Sequence, residues 1–273
     1  MSIAYEQPLR GALHVPEGDG PFPTVVIAHG FKGFMGWGMF PWIADQLADA
    51  GFAAVRFDFS GNGVDAAGDF TDLEGFKANT LSREQQDLRA LFDAIAAGAD
   101  PFGGRCRPGR IGILGHSRGG GGVILYAAGD ERVAAVVTLA GVAYASRFPP
   151  EARATAEAQG YFEVLNARTG QQLPVGLEYF RDAEQHDVQA AAAGLAQPLL
   201  LVHGTDDEAV SVTDAHLLQQ ATGGRAQLLE IGGAGHTFGA VHPFQGPTPD
   251  LERATGAVAS FFAQHLAAEA APA

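Results

Sequence analysis

The chain has 273 residues, 47% of them hydrophobic and 18% charged, a globular composition that excludes a disordered, fibrous or disulfide-stapled protein. Its 17 Lys and Arg against 31 Asp and Glu give a net charge of −14, a field that repels phosphate backbones and anionic lipid and so argues against nucleic-acid and membrane partners. The one cysteine, Cys106, can form neither an internal disulfide nor a paired metal or redox site, which favours a reducing compartment and a cytoplasmic location.

Residues 1–11 carry Glu6 and Arg10 and lack the basic start and apolar run of a signal peptide. Residues 24–28 are predicted as a strand, 40–50 as a helix with Ile43 and Leu47 on one face, and 52–57 as a second strand. The alternation continues with a helix over 82–97, on which Leu88, Leu91, Phe92 and Ile95 share a face, a strand over 111–114, a helix over 123–128 and a strand over 133–139. It closes with strands at 198–202 and 228–231 and helices at 215–220 and 249–266. Ser82-x-x-Gln85 has the form of a capping box, and Thr248-Pro249-Asp250 places a cap, a first-turn proline and an acid at a helix start. The longest apolar run, 133–145, is shorter than the ~18 residues of a membrane span. Strand and helix in alternation imply an α/β class, a mostly parallel twisted sheet covered by helices on both faces.

No repeat or Gly/Ser linker divides the chain, so residues 1–273 are expected to form one domain. Residues 141–194 are too long for a strand-to-helix connection and carry Tyr144, Phe148, Tyr161, Phe162, Leu173, Val175, Tyr179 and Phe180. They are expected to form a small lid inserted ahead of the strand at 198.

Gly115-His116-Ser117-Arg118-Gly119 lies between a predicted strand and a predicted helix, the setting in which Gly-x-Ser-x-Gly is a nucleophile elbow. The turn strains the serine backbone, and side chains two residues either side of it would strike the crossing strand and helix, so Gly115 and Gly119 are needed for steric reasons. The run Gly119 to Gly122 costs about 1 kcal/mol of helix propensity per glycine, an expense that fits a constrained site better than a surface helix. A serine hydroxyl needs a base within hydrogen-bond reach and an acid to orient that base. Candidates follow the next two strands, Asp206 and Asp207 after the first, His236 and His242 after the second. Both groups fall at the C-terminal ends of strands, where parallel sheets build their sites.

Three blocks in this order resemble the α/β-hydrolases, especially the branch similar to dienelactone hydrolases, cinnamoyl and feruloyl esterases and serine aminopeptidases. They are His29-Gly30-Phe31, the Gly115 to Gly119 motif, and His-Gly-x-x-Asp-x-x-Val from His203 to Val210 with Gly233-x-x-His236 downstream. The resemblance covers nearly the whole chain. It implies an α/β-hydrolase fold with Ser117 as nucleophile, Asp207 rather than Asp206 as the acid, and His236 rather than His242 as the base. It also implies an oxyanion hole made of the backbone N–H groups of Phe31 and Arg118, with the start of the helix after Ser117 adding partial positive charge. His29, His116 and His203 are expected to be structural, and no histidine spacing suggests a metal, so the chemistry needs no cofactor.

The expected activity is serine hydrolysis of small or aromatic carboxylic esters through an acyl-enzyme, with a small-molecule ester as partner and no indication of oligomeric state. Aminopeptidase, amidase or thioesterase activity on the same three residues, and a non-catalytic binding protein of the same fold, are the alternatives. The side chains of Arg118 and Lys32 are expected either to recognise an acidic substrate or, for Arg118, to point under the lid or pair with a carboxylate. Residues 60–63 read as a turn, and Cys106 as an incidental member of a loop over 103–109. Dienelactone hydrolases carry Cys at the position of Ser117, a departure that sets this chain apart from that particular activity.

Overall fold

The computed structural model describes residues 2–3, 9–99 and 102–266, so Glu6 and most of the segment expected to lack a signal peptide lie outside the described residues. The chain opens with β1 (Ser2–Ile3) and β2 (Leu9–His14), then β3 (Phe22–Ala28), α1 (Met39–Asp49), β4 (Ala53–Phe57), α2 (Leu73–Lys77) and α3 (Leu81–Ala96). It continues through β5 (Cys106–His116), α4 (Arg118–Ala127) and β6 (Val133–Leu139) into an insert of α5 (Pro150–Gln159), β7 (Tyr161–Asn166), β8 (Gln171–Gly176), α6 (Leu177–Ala183) and α7 (Val188–Gly194). β9 (Leu199–Gly204), α8 (Val212–Ala221), β10 (Gln227–Ile231) and α9 (Pro249–Leu266) complete it.

The main sheet has the order β1-β2-β4-β3-β5-β6-β9-β10. From β4 to β10 every pairing is parallel, and β2 joins β4 antiparallel, giving the α/β-hydrolase fold. The period of two along each strand sends alternate side chains to opposite faces. Val26, Val55, Ile113, Val136 and Leu201 meet Leu88, Leu91 and Phe92 of α3, Val123 and Ile124 of α4, and Leu218 of α8. Val25, Ile27, Leu114, Val137 and Val202 meet Ile43 and Leu47 of α1 and Leu251, Val258 and Phe262 of α9. A strand buried on both faces loses the polar alternation that would mark a surface strand, as the continuous apolar runs of β3, β6 and β9 show.

The insert has its own apolar cluster, in which Leu173, Val175, Tyr179 and Phe180 close over Phe70, Phe76 and Leu81. β7 and β8 form its antiparallel hairpin. α7 behaves differently, because Val188 and Ala192 belong to the cluster under the sheet rather than to the insert.

Three local expectations are corrected. The cap of α3 is Thr80, whose side chain accepts from the Arg83 N–H at 3.2 Å; Ser82 lies inside the helix and its Oγ meets His186 Nε2 at 3.0 Å. Cys106 is a buried residue of β5 rather than of a loop. The Arg107-Pro108-Gly109 sequence that suggested a loop belongs to the early part of that long strand, where Pro108 and Gly109 are exposed. The helix after Ser117 begins at Arg118, not Val123, so the four glycines are its first turn. Thr248 caps α9 as the sequence suggests, accepting from the Leu251 N–H at 3.1 Å. Among the described residues no helix is long and apolar enough to cross a membrane.

Candidate active site

Because β3, β5, β9 and β10 are parallel, the segments after their last residues converge on one edge of the sheet. Ser117 follows β5 directly and takes φ 57° and ψ −122°, a left-handed backbone that disfavours a residue with a Cβ. Its N–H donates to Leu139 O at 2.9 Å, and its carbonyl accepts from Gly120 N at 2.9 Å and Val142 N at 3.2 Å. The turn is held by packing that only glycine permits. A Cβ on Gly115 would stand 2.3 Å from Gly119 O, and one on Gly119 would stand 2.4 Å from His29 O. Gly120 and Gly121 let α4 lie close to Gly141 and Val142 at the start of the insert.

Asp207 is nearly buried and its carboxylate is saturated. Oδ2 accepts from His236 Nδ1 at 2.8 Å and stands 3.3 Å from His203 Nε2, while Oδ1 accepts from the N–H groups of Ala209 (2.9 Å) and Val210 (2.8 Å). Burial pushes this carboxyl up, but the hydrogen bonds from His203 and His236 and from the Val210 amide outweigh it and hold the group well below the usual carboxylate range. Asp206, the neighbouring candidate, is exposed and accepts from Thr205 Oγ1 at 3.0 Å. His236 Nδ1 donates to the carboxylate, so its Nε2 is the unprotonated nitrogen of the neutral ring. His242 stands apart. Its Nδ1 accepts from Gly38 N at 3.0 Å, and its ring packs on Trp37 and Phe34.

Three further histidines brace this arrangement. His203 Nε2 donates to Val210 O at 2.9 Å, which fixes the turn that carries Asp207. His116 Nε2 donates to the backbone carbonyl of His236 at 3.0 Å, with the two rings 4.7 Å apart. Burial, and then the nearby His236, push His116 down to about 3, so it is neutral at physiological pH. His29 Nδ1 donates to Gly30 O at 2.9 Å, and its Nε2 accepts from Phe59 N at 3.3 Å.

Phe31 lies in the turn after β3 that the Gly33 N–H closes onto Gly30 O, and Arg118 is the first residue of α4, where a helical N–H has no intrahelical acceptor. Among the described residues neither N–H has an acceptor. The Arg118 side chain turns away from solvent to pair with Glu84 on α3, with its guanidinium 5.0 Å from the Phe31 ring centre and 5.4 Å from that of Tyr179. Of the two alternatives for this side chain, the carboxylate partner under the insert is therefore the one observed. Burial disfavours the charge, but Glu84 outweighs it and keeps Arg118 charged. Asn79 Nδ2 donates to the same carboxylate at 2.8 Å.

Ser117 and His236 line two adjoining lobes. The first, about 340 Å³, has walls of Phe31, Val142, Tyr144, Phe148, Tyr179 and Val210. The second, about 220 Å³, lies between Trp37, His116 and Thr237 on one side and Asn166 and Arg168 of the insert on the other. Lys32 belongs to both. The walls contributed by the insert were not legible as such in the sequence, although Phe148 and Tyr179 stood out as aromatic residues of that segment. Asn166 carried no signal at all. Among the described residues no group of three His, Cys, Asp or Glu side chains could hold a metal ion.

The family model for the dienelactone hydrolase family matches residues 9–266. An uncharacterised 31.7 kDa protein of Escherichia coli is 28% identical over 169 residues, which are 62% of this chain and 54% of that protein, so the match spans about half of that relative's length. The esterase YjfP of Escherichia coli K12 is 27% identical over 269 residues, 95% of each chain. Among solved structures, Est1E from Butyrivibrio proteoclasticus with ferulic acid bound superposes with a TM-score of 0.76 at 24% identity, covering 98% of this chain and 100% of that one.

Proposed function

Since the chain belongs to the dienelactone hydrolase family, we propose that it is a serine hydrolase of carboxylic esters, acting as one domain in which part of segment 141–194 serves as a lid. One observation carries this reading: a serine in a strained strand-to-helix turn shares its cavity with an imidazole whose other nitrogen is bonded to a buried carboxylate at 2.8 Å. In this reading His236 Nε2 takes the proton of Ser117 as its Oγ attacks the ester carbonyl, and Asp207 holds the ring in the tautomer that makes this possible. The negative oxygen that forms is stabilised by the free N–H groups of Phe31 and Arg118, in a place where each such donor is worth about 2.7 to 4 kcal/mol of barrier. His236 then passes the proton to the leaving alcohol and activates the water that releases the acid.

The apolar and aromatic walls of the first lobe support a small or aromatic acyl group. The relative named as an esterase supports ester chemistry over amide or thioester chemistry. No cofactor has a role in these steps. The test is turnover of p-nitrophenyl acetate, butyrate and palmitate alongside an aminoacyl anilide, with fluorophosphonate labelling of the protein. Labelling at Ser117 with preference for the short esters is expected. Absence of labelling would leave a binding protein of this fold, and preference for the anilide would make the protein an aminopeptidase.

A further inference from the structure

Phe31 and Arg118, whose N–H groups are the oxyanion donors of the reading above, are also joined through their side chains. The turn that carries Phe31 is closed by the Gly33 N–H on Gly30 O at 3.0 Å, a carbonyl that also accepts from His29 Nδ1 at 2.9 Å. Neither bond engages the Phe31 amide. The next residue, Lys32, holds φ 58°, a left-handed backbone that disfavours a side chain, and a strained turn of this kind persists only where its surroundings hold it. The turn lies directly against the serine, because a Cβ on Gly30 would stand 2.9 Å from Ser117 Cβ and 2.9 Å from His116 O. A rotation of the turn therefore changes where the Phe31 N–H points relative to the serine.

Side chains supply the missing hold. Lys32 Nζ donates to Leu165 O at 3.1 Å, and the Phe31 ring packs on Phe76 and Phe148 with ring centres 5.6 Å and 5.7 Å away. Those partners belong to the insert and to α2. The Arg118 guanidinium, 5.0 Å from the centre of the same ring, belongs instead to α4, the helix that starts beside Ser117. It is anchored at its far end to α3 by Glu84, whose side chain is 4% exposed and also accepts from Asn79 Nδ2 at 2.8 Å. Tyr179 lies 5.4 Å from the guanidinium, with its own hydroxyl donating to Ala145 O at 2.8 Å. A buried ion pair is a weak stabiliser, since apolar side chains of similar volume often do as well, so a positional role accounts for this one better than stability does.

We infer that Arg118 is a positioning residue, whose guanidinium, clamped by Glu84, holds the Phe31 ring so that the Phe31 N–H converges with the N–H of Arg118 itself. One residue thus supplies one oxyanion donor through its main chain and aims the other through its side chain. This rests on the ester-hydrolase reading above and deepens it. The guanidinium need not touch substrate, because its charge is taken up by Glu84.

The experiment is a double-mutant cycle read in kcat and KM for p-nitrophenyl acetate. Glu84→Gln is its background, which retains an oxygen for the guanidinium and ensures that Arg118→Met leaves no buried charge alone. In that background Arg118→Met is expected to lower kcat and kcat/KM together by about ten- to hundredfold, the scale of a misaimed oxyanion donor, with KM nearly unchanged. Phe31→Leu, which keeps apolar bulk and removes the aromatic face, should do the same, and the two together should cost no more than the larger single effect. The inference is overturned if Arg118→Met, shown to be folded by a cooperative thermal transition, keeps its kcat, if it raises KM alone, or if the two effects multiply. Should the Arg118 variant not fold, Phe31→Leu in the otherwise unmodified chain decides: a fall in kcat at constant KM supports the inference, and full kcat overturns it. Turnover and fluorophosphonate labelling of Ser117 with none of these effects would reject the positioning role alone, whereas absence of both in the unmodified protein would reject the hydrolase reading and the positioning role with it.

Discussion

Asp207 Oδ2 lies between two imidazoles, 2.8 Å from His236 Nδ1 and 3.3 Å from His203 Nε2, so one oxygen serves both the ring that faces the cavity and the ring that braces the loop. Replacing it with asparagine puts a donor where a donor already points and reverses the preferred tautomer of His236. Asp207→Asn is expected to lower kcat for a p-nitrophenyl ester by about four orders of magnitude, the scale reached when a triad imidazole is held in the wrong tautomer. Asp206→Asn, on the exposed neighbour, should stay within about twofold.

Ser117 bears strain for which its side chain gains no capping bond in return. Removing the Cβ relieves that strain, so Ser117→Gly should abolish turnover while raising stability by about 1 kcal/mol, read as a higher midpoint in thermal unfolding. Ser117→Ala should abolish turnover without that gain.

Two glycines in helices should respond in opposite ways to alanine. A Cβ at Gly119 would enter the space of the His29 and Ala28 carbonyls, which are main chain and cannot yield, so Gly119→Ala should destabilise by several kcal/mol or prevent folding. At Gly256 in α9 nothing lies within 4 Å, and Gly256→Ala should stabilise by about 0.5 to 1 kcal/mol. Chemical denaturation of the two variants checks both.

The buried His116, pushed down to about 3, is neutral when folded and takes a proton in the unfolded chain near pH 6.5. Between those values the unfolded state binds more protons, so stability should fall as pH drops from 6.5 toward 3, by up to about 1.4 kcal/mol per pH unit from this group. His116→Gln should flatten that part of the curve of unfolding midpoint against pH.

Asp87 has the opposite sign. Burial pushes it up to about 6 despite the 2.7 Å bond its Oδ2 accepts from Ser60 N. The folded state binds the extra proton between about pH 4 and 6, so this group removes stability as pH rises through that window. Asp87→Asn should gain relative to the parent protein at pH 8 and lose that advantage at pH 4.

The framework was legible because strands covered on both faces write continuous apolar runs, and helices against them write a 3.6-residue period. Elements with weaker burial were not. β1 and β2 precede the first strong apolar run, and the β7–β8 hairpin packs on the insert's own small cluster rather than on the sheet. The α3 cap was misplaced because Thr80 and Ser82 are both good caps, and the choice between them is made by Asp182 and His186, about a hundred residues away, which engage the Ser82 N–H and Oγ. The same holds at the site. The Asp207 to His236 contact was anticipated through motif order, whereas the Glu84 partner of Arg118 arises from tertiary placement that leaves no local pattern.

The carbonyl of Ser117 accepts from Val142, and the next amide, Ala143, donates to Asp214 at 3.0 Å on α8. The first two residues after Gly141 are thus anchored to the serine's own peptide and to the body of the protein. Any swinging of the overhanging segment must pivot downstream of Ala143, so the cavity walls at Tyr144 and Phe148 can shift while the Ser117 turn stays fixed.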